Sequence, residues 1–393
     1  MPATPLTPIV AITFLLSLGT GMLWNGLPFV TENAFGYQRI DTYWLSATQG
    51  VFYVLAAMFA GRITRAAERH VSPRALLAIV LLLQGLLAPL ILLQVTPAVV
   101  WFIACAVSAT SALQWPIIES YVTAGRPGRA MRSAIGWWNV VWMTATLLSL
   151  ALTGVMIEHL GPTLAIGMLG PVNLLATGLL LFIHRSPGEH LHDESEPVPA
   201  TYRSQLAAAR VLLPLSYVIV AALAPLMPFI TGPLHLHGSI ETVVASTWLG
   251  GRLCAAAVLW RTHSWHGRWA TLLIAGALIA GGFAAAVLAT SIPVLILGLG
   301  AFGVGQGIIY YAAIYYAMAV GNAGVDAAGT HEALIGLGYF IGPALGLLST
   351  LASDNDIGRN QIFVLAVWSL MGLAAIPASR PWIRERASNR AAG

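Results

Sequence analysis

The pentapeptide LPFVT at Leu27–Thr31 returns as MPFIT at Met227–Thr231, and each copy closes an apolar run. Other matches keep nearly the same register. SAIG at Ser133–Gly136 pairs with ALIG at Ala333–Gly336, and Pro97 pairs with Pro293 at a slightly smaller offset. One short apolar word could recur by chance in so biased a chain. Three matches in one order point to a duplicated unit filling each half of the 393 residues.

Composition says what that unit is made of. The chain is 58% hydrophobic and 9% charged, with a mean hydropathy of +0.78. Soluble domains carry about 25% charged residues, so a water-soluble fold is excluded. Apolar runs long enough to cross a bilayer core of about 30 Å as helices recur throughout. No alternating runs of about ten residues suggest barrel strands. The class expected is an all-α polytopic membrane protein. Cys105 and Cys254 fall inside apolar runs and read as small hydrophobes rather than a disulfide framework. The first run, from Ile9 to Val30, exceeds a signal-peptide core and reads as an uncleaved first span.

Breaking the chain at polar and Pro/Gly clusters gives twelve spans: 8–30, 43–61, 75–95, 97–122, 133–157, 163–184, 207–231, 242–260, 269–290, 293–320, 331–351 and 361–379. The longest polar stretch separates spans six and seven. The domains expected are therefore a six-helix bundle over 1–184, a linker over 185–206 and a second bundle over 207–393. All 19 basic residues are arginines. They gather after spans two, four and eight, in the linker and at the C-terminus, whereas the other side holds only Arg39 and Arg359. The positive-inside rule then makes both termini cytoplasmic. Because six is even, the two halves are parallel repeats.

Twelve spans in two parallel sixes resemble the major facilitator superfamily over nearly the whole chain. GRITRAAERH at Gly61–His70 is similar to that family's loop between helices two and three, with Arg65 where an acid is usual and Glu68 nearby. GYFIGPALG at Gly338–Gly346 is similar to the Gly-Pro motif of its antiporters. Here it stands in span eleven, while span five reads TATLLSLALTG, so antiport is not carried over. The resemblance implies a central cavity lined by helices one, four, seven and ten.

Ionisable residues within spans are the informative ones, because burying a charge there costs at least a few kcal/mol. Arg252 lies about eleven residues into span eight, roughly 17 Å at 1.5 Å per residue. A guanidinium there suits an anionic substrate, since it grips carboxylate or phosphate bidentately; a structural arginine satisfied by helix carbonyls is the alternative. The amide and aromatic residues of the polar spans complete the substrate-binding candidates: Trp24, Asn25, Gln114, Trp115, Asn139, Trp142, Tyr217, Gln306, Tyr310 and Tyr311. Gln306 and Tyr310, four apart, share one helix face.

Gating candidates lie nearer the ends. Glu119 precedes Arg126, Arg129 and Arg132, a spacing similar to the superfamily's sugar porters, and this cluster is expected to tie helix ends together on the cytoplasmic side. His331 and Glu332 open span eleven, and Glu332 aligns with Arg132 across the repeat, as an inter-half contact. Histidine titrates near neutral pH, so that pair is also the candidate for proton coupling. Pro28 and Pro228 would bend spans one and seven near a gate on the other side.

No metal site is expected: HEALI lacks the second histidine that HExxH needs, at Ile335. No cofactor is expected either, and no P-loop appears. GLGAFG at Gly298–Gly303 lies within a span and reads as close helix packing. The function expected is a secondary active or facilitative transporter for a small organic solute, working by alternating access as a monomer in the cell membrane (the inner membrane, in a bacterium). It is not expected to be an enzyme or to bind nucleic acid. The alternatives are a membrane-embedded lipid-modifying enzyme and a non-transporting receptor on the same fold. Spans one, four, seven and ten show no acid near the membrane centre, which counts against symport through a deeply buried carboxylate.

Overall fold

The computed structural model describes residues 3–67, 69–126, 128–188, 199–320 and 325–391, and the side chains of all of these except 128, 129, 318, 325–331, 333 and 388–391. Most of the linker, the alternative acid Glu68 and the side chains of Arg129 and His331 lie outside those described residues.

Among the described residues, twelve helices are long and apolar enough to span a membrane. The first six are α1 (Leu6–Phe35), α2 (Arg39–Ala67), α3 (Pro73–Leu93), α4 (Pro97–Thr123), α5 (Gly128–Leu160) and α6 (Pro162–Phe182). The second six are α7 (Ala200–Leu234), α8 (Gly238–Arg261), α9 (Trp269–Val287), α10 (Ile292–Val320), α11 (Val325–Leu351) and α12 (Asp356–Ala391). Starts follow local chemistry: Ser72 and Thr96 accept from the backbone N–H of Ala75 and Val99, with Pro73 and Pro97 at the first helical position. Side chains left exposed are largely apolar, such as Leu93 and Leu181, as a lipid-facing surface requires.

The repeated pentapeptides explain the irregular parts of α1 and α7. Pro28 has no N–H to give, and just before it the Leu27 N–H reaches five residues back to the Met22 carbonyl. In α7, Pro225 and Pro228 flank a tighter turn in which the Met227 N–H bonds the Ala224 carbonyl, three back. Thr31 donates to the Leu27 carbonyl at 3.0 Å, and Thr231 donates to that of Met227 at 2.8 Å. Both threonines are fully buried and reach a carbonyl four residues back, and the Thr231 hydroxyl is also within hydrogen-bond reach of Glu241 Oε1. These two segments pack on each other at the face opposite the termini.

The halves meet along two seams, α2 against α11 and α5 against α8. Close approach at each needs a residue without a side chain. A Cβ on Gly50 would lie 2.3 Å from the Tyr339 carbonyl oxygen, and one on Gly154 would lie 2.6 Å from Thr242 Oγ1. The second seam is hydrogen-bonded: the Gly154 N–H donates to Thr242 Oγ1 at 3.0 Å, and Glu158 Oε2 accepts from the Ser239 N–H at 3.2 Å. Glu158 thus sits at the positive N-terminal end of α8. Beside the first seam, α2 also reaches α7 and α12: Tyr43 donates to the Ala222 carbonyl, and Arg39 donates to Asn360 at 2.8 Å.

Candidate functional site

Between the seams lies a cavity of about 100 Å³. Its lining repeats at helical spacing on one helix after another: Ser17, Thr20 and Trp24 on α1; Trp115 and Glu119 on α4; Trp138, Trp142 and Thr146 on α5; Glu332, Ile335, Tyr339 and Pro343 on α11. Ser46 and Tyr53 on α2, Tyr217 on α7, Trp248 and Arg252 on α8 and Tyr310 on α10 close it. Both halves contribute.

Arg252 is 3% exposed. Its Nη2 donates to the Tyr217 hydroxyl at 2.8 Å. The guanidinium carbon stands 4.3 Å from the Trp142 ring centre and 4.7 Å from that of Tyr310, with Tyr217 at 5.6 Å. Such cation–π contacts attract by about 0.5–2 kcal/mol each but accept no hydrogen bond along the guanidinium edge. Nε has no hydrogen-bond partner among the described residues, and no described carboxylate lies within 4 Å. Arg252 is therefore a buried cation held by rings with donor capacity to spare.

The rings also join the halves. Trp24 stacks on Tyr339 at 4.1 Å and 18°, Tyr53 stands edge-on to both, and Trp142 stands edge-on to Tyr310 at 5.3 Å. Trp24 and the neighbouring Asn25 lie on the widened turn ahead of Pro28, which is what turns them inward.

Two acids border the same cavity. Tyr53 on α2 donates to Glu332 Oε2 on α11, crossing from one half to the other. The Glu119 carboxyl is partly exposed to the cavity and makes no hydrogen bond or ion pair with a described residue. Tyr217 and Tyr310 lie within electrostatic reach of Arg252, Glu119 and Glu332 alike.

Of the sequence candidates, Arg252, Trp24, Asn25, Trp115, Trp142, Tyr217 and Tyr310 line the cavity. Four do not. Gln114 is buried within the first half, where it accepts from Gln84 at 3.0 Å. Asn139 accepts from Trp142 Nε1 at 2.9 Å behind the cavity wall. Gln306 is fully buried within the second half. Tyr311, four residues from Gly307 and adjacent to Tyr310, turns away to pack on Trp265.

The gating cluster needs the larger correction. Glu119 lines the cavity and is not tied to Arg126 or Arg132. Arg126 turns back on its own helix end, donating to the Tyr121 and Val122 carbonyls at 3.0 Å and also to the Thr4 carbonyl. Burial there lowers the Arg126 pKa from its ordinary value. Arg132 is exposed, and the partner of Glu332 is Tyr53, not Arg132. Spans four and eleven therefore carry acids that line the cavity, Glu119 and Glu332. Pro28 and Pro228 are buried where α1 and α7 meet.

Sequence reasoning missed Tyr53, Tyr339, Trp248 and the hydroxyls Ser17, Thr20, Ser46 and Thr146. The available signal was spacing. Trp115 and Glu119 are four apart, and Glu332, Ile335, Tyr339 and Pro343 follow at steps of three and four, so one inward face can be drawn along each helix.

A family model described as Major Facilitator Superfamily matches residues 9–347. Comparison with curated proteins finds no match. Among solved structures, a bacterial homologue of the human lysosomal transporter Spinster, inward-facing and unoccupied, aligns with a TM-score of 0.68 at 13% identity, covering 96% of this chain and 97% of its own. The nucleoside transporter NupG aligns at 0.65 and 10% identity, covering 96% and 98%. A structure of proton-dependent oligopeptide transporters aligns at 0.70 and 12% identity, covering 95% and 97%. At these identities the likeness speaks for the fold.

Proposed function

Because the chain belongs to the major facilitator superfamily, a family of membrane transporters, we propose that it moves a small organic solute across the membrane by alternating access. The observation that carries this reading is the cavity between the halves, walled by side chains of both, with Arg252, Glu119 and Glu332 among them. A solute bound there touches each half, so rocking along the α2–α11 and α5–α8 seams exposes it to one side and then the other. The arginines at 62, 65, 69, 74, 126 and 132 gather toward the face that carries the termini, and the positive-inside rule supports reading that face as cytoplasmic.

Glu119 and Glu332 give the carrier a place to exchange a proton. Two carboxyls border one cavity, and one of them is bonded to Tyr53 across the halves. A change in the charge of Glu332 changes the acceptor in an inter-half hydrogen bond, which links proton exchange to rocking. This pair replaces His331–Glu332 as the proposed coupling site.

The test is accessibility of the cavity from each side. With Cys105 and Cys254 replaced by serine, Thr20→Cys is placed in reconstituted vesicles of known orientation. A membrane-impermeant thiol reagent should label it from either side, in proportions that a bound solute changes. Labelling from one side only under every condition would refute alternating access.

A further inference from the structure

The cavity has two chemical ends, and neither is satisfied by the protein. At one end, Arg252 offers an Nε–H without a partner while its faces are covered by Trp142 and Tyr310. Trp138 Nε1 and Ser17 Oγ, also lining the cavity, are likewise buried without a partner. Buried donors left unmade cost about 1–3 kcal/mol each. They are ready for an acceptor. At the other end, the Glu119 carboxyl has no described donor, and Glu332 has only Tyr53. Tyr339 links the two, 5.8 Å from the Tyr217 ring that Arg252 bonds and 5.7 Å from the Tyr53 ring that bonds Glu332. With Trp24 stacked on it and Trp115 also in the lining, it offers rings that suit an apolar or aromatic body and attract a cation to their faces.

An anion alone would answer Arg252 and leave two carboxyls facing it. A cation alone would answer the carboxyls and leave the guanidinium edge empty. Resting on the carrier reading above, we propose that the transported solute is a zwitterion. Its anionic group accepts from Arg252 and Trp138, its ammonium donates to Glu119, and its body lies among the tryptophans. The charges then balance within the site: the solute contributes one of each sign, Arg252 answers one carboxyl, and a proton on the other leaves the loaded cavity neutral. A charge moved into a low-dielectric interior is tolerated only when so balanced.

The same pair of charged groups occurs on a free amino acid or short peptide and on the head of a zwitterionic lysolipid. The experiment separates them. Ligand-induced thermal shifts are measured for the purified full chain with phenylalanine, the dipeptide phenylalanyl-alanine, N-acetylphenylalanine, phenylalanine methyl ester and lysophosphatidylethanolamine. A ligand that binds only the folded state raises the melting point by mass action. Phenylalanine, the dipeptide or the lysolipid should stabilise at concentrations at least tenfold below either singly charged analogue, and which of the three does so names the source.

In Arg252→Gln the preference over the methyl ester should vanish. In Glu119→Gln the preference over the N-acetyl compound should vanish. Each variant should still bind the analogue that avoids its lesion, which shows that it is folded. If a singly charged analogue binds as tightly as its zwitterionic parent, or if no zwitterion binds, the substrate class is wrong. The two-sided accessibility of Thr20→Cys would still stand or fall on its own.

Discussion

Arg252 was legible as a buried charge from position alone, and its surroundings were not. An arginine deep in an apolar run must be answered by something, but only the fold brings Trp142 from the other half to within 4.3 Å of its guanidinium. Lysine would keep the charge and lose both the flat faces and the fork. Arg252→Lys should therefore weaken binding of a solute's anionic group at least tenfold, about 1.4 kcal/mol, with the melting point of the empty protein less affected than in Arg252→Ala. Glu332 makes a second prediction. In vesicles, uptake should be accelerated by a proton gradient directed with the solute, and Glu332→Gln should leave uptake indifferent to it; a gradient response undiminished in that variant would remove Glu332 from the coupling.

His266 belongs to the same scale and lies outside the membrane spans. Its ring stacks on Tyr315 at 4.2 Å, and its Nδ1 meets the Tyr315 hydroxyl at 3.1 Å. Burial first, and the neighbouring His263 second, push its pKa below the ordinary value of 6.5. The unfolded chain then binds this proton more readily than the folded one. The contribution is fully present above the unfolded value and is lost as pH falls below it. Lowering the pH from 7.5 to 5.5 should lower the melting point of the wild type more than that of His266→Asn.

At the scale of elements, the twelve helices follow from run length and punctuation, because a lipid-exposed backbone must bond within its own helix. The repeated pentapeptides marked the α1–α7 contact, and the structure supplies the reason: each proline interrupts regular bonding and each threonine restores it. The two seams were not legible. Gly50 and Gly154 look like any other glycine in a chain with 39 of them, and what singles them out is a carbonyl or hydroxyl facing them from the other half. The misreading of Glu119 has the same origin. Proximity in sequence joined it to the arginines after it, whereas helical phase joins it to Trp115 and turns both inward. Gly154→Val should force branched carbons onto Thr242 and Gly238, destabilising by about 1–3 kcal/mol and lowering the melting point by several degrees. Gly281→Ala on α9, where a Cβ would meet nothing within 4 Å, should be neutral or slightly stabilising. Equal losses in both variants would deny the seam its special packing.

The whole molecule is two bundles joined by two seams, and by the α1–α7 contact at the face opposite the termini, around a cavity that belongs to neither. On the proposed reading, motion of one half against the other is the means of transport. The central claim is therefore a change of distance with opposite sign at the two faces. It is tested most directly by paired spin labels on the full chain with its native cysteines replaced. One pair, Gln38→Cys with His237→Cys, spans the halves at the face opposite the termini; the other, His70→Cys with Ser264→Cys, spans them at the face that carries the termini. All four positions are exposed. Across conditions that change the occupancy or protonation of the cavity, the account predicts two populations at each pair, with one distance lengthening as the other shortens. Distances that stay fixed at both faces, or that lengthen and shorten together, would contradict it.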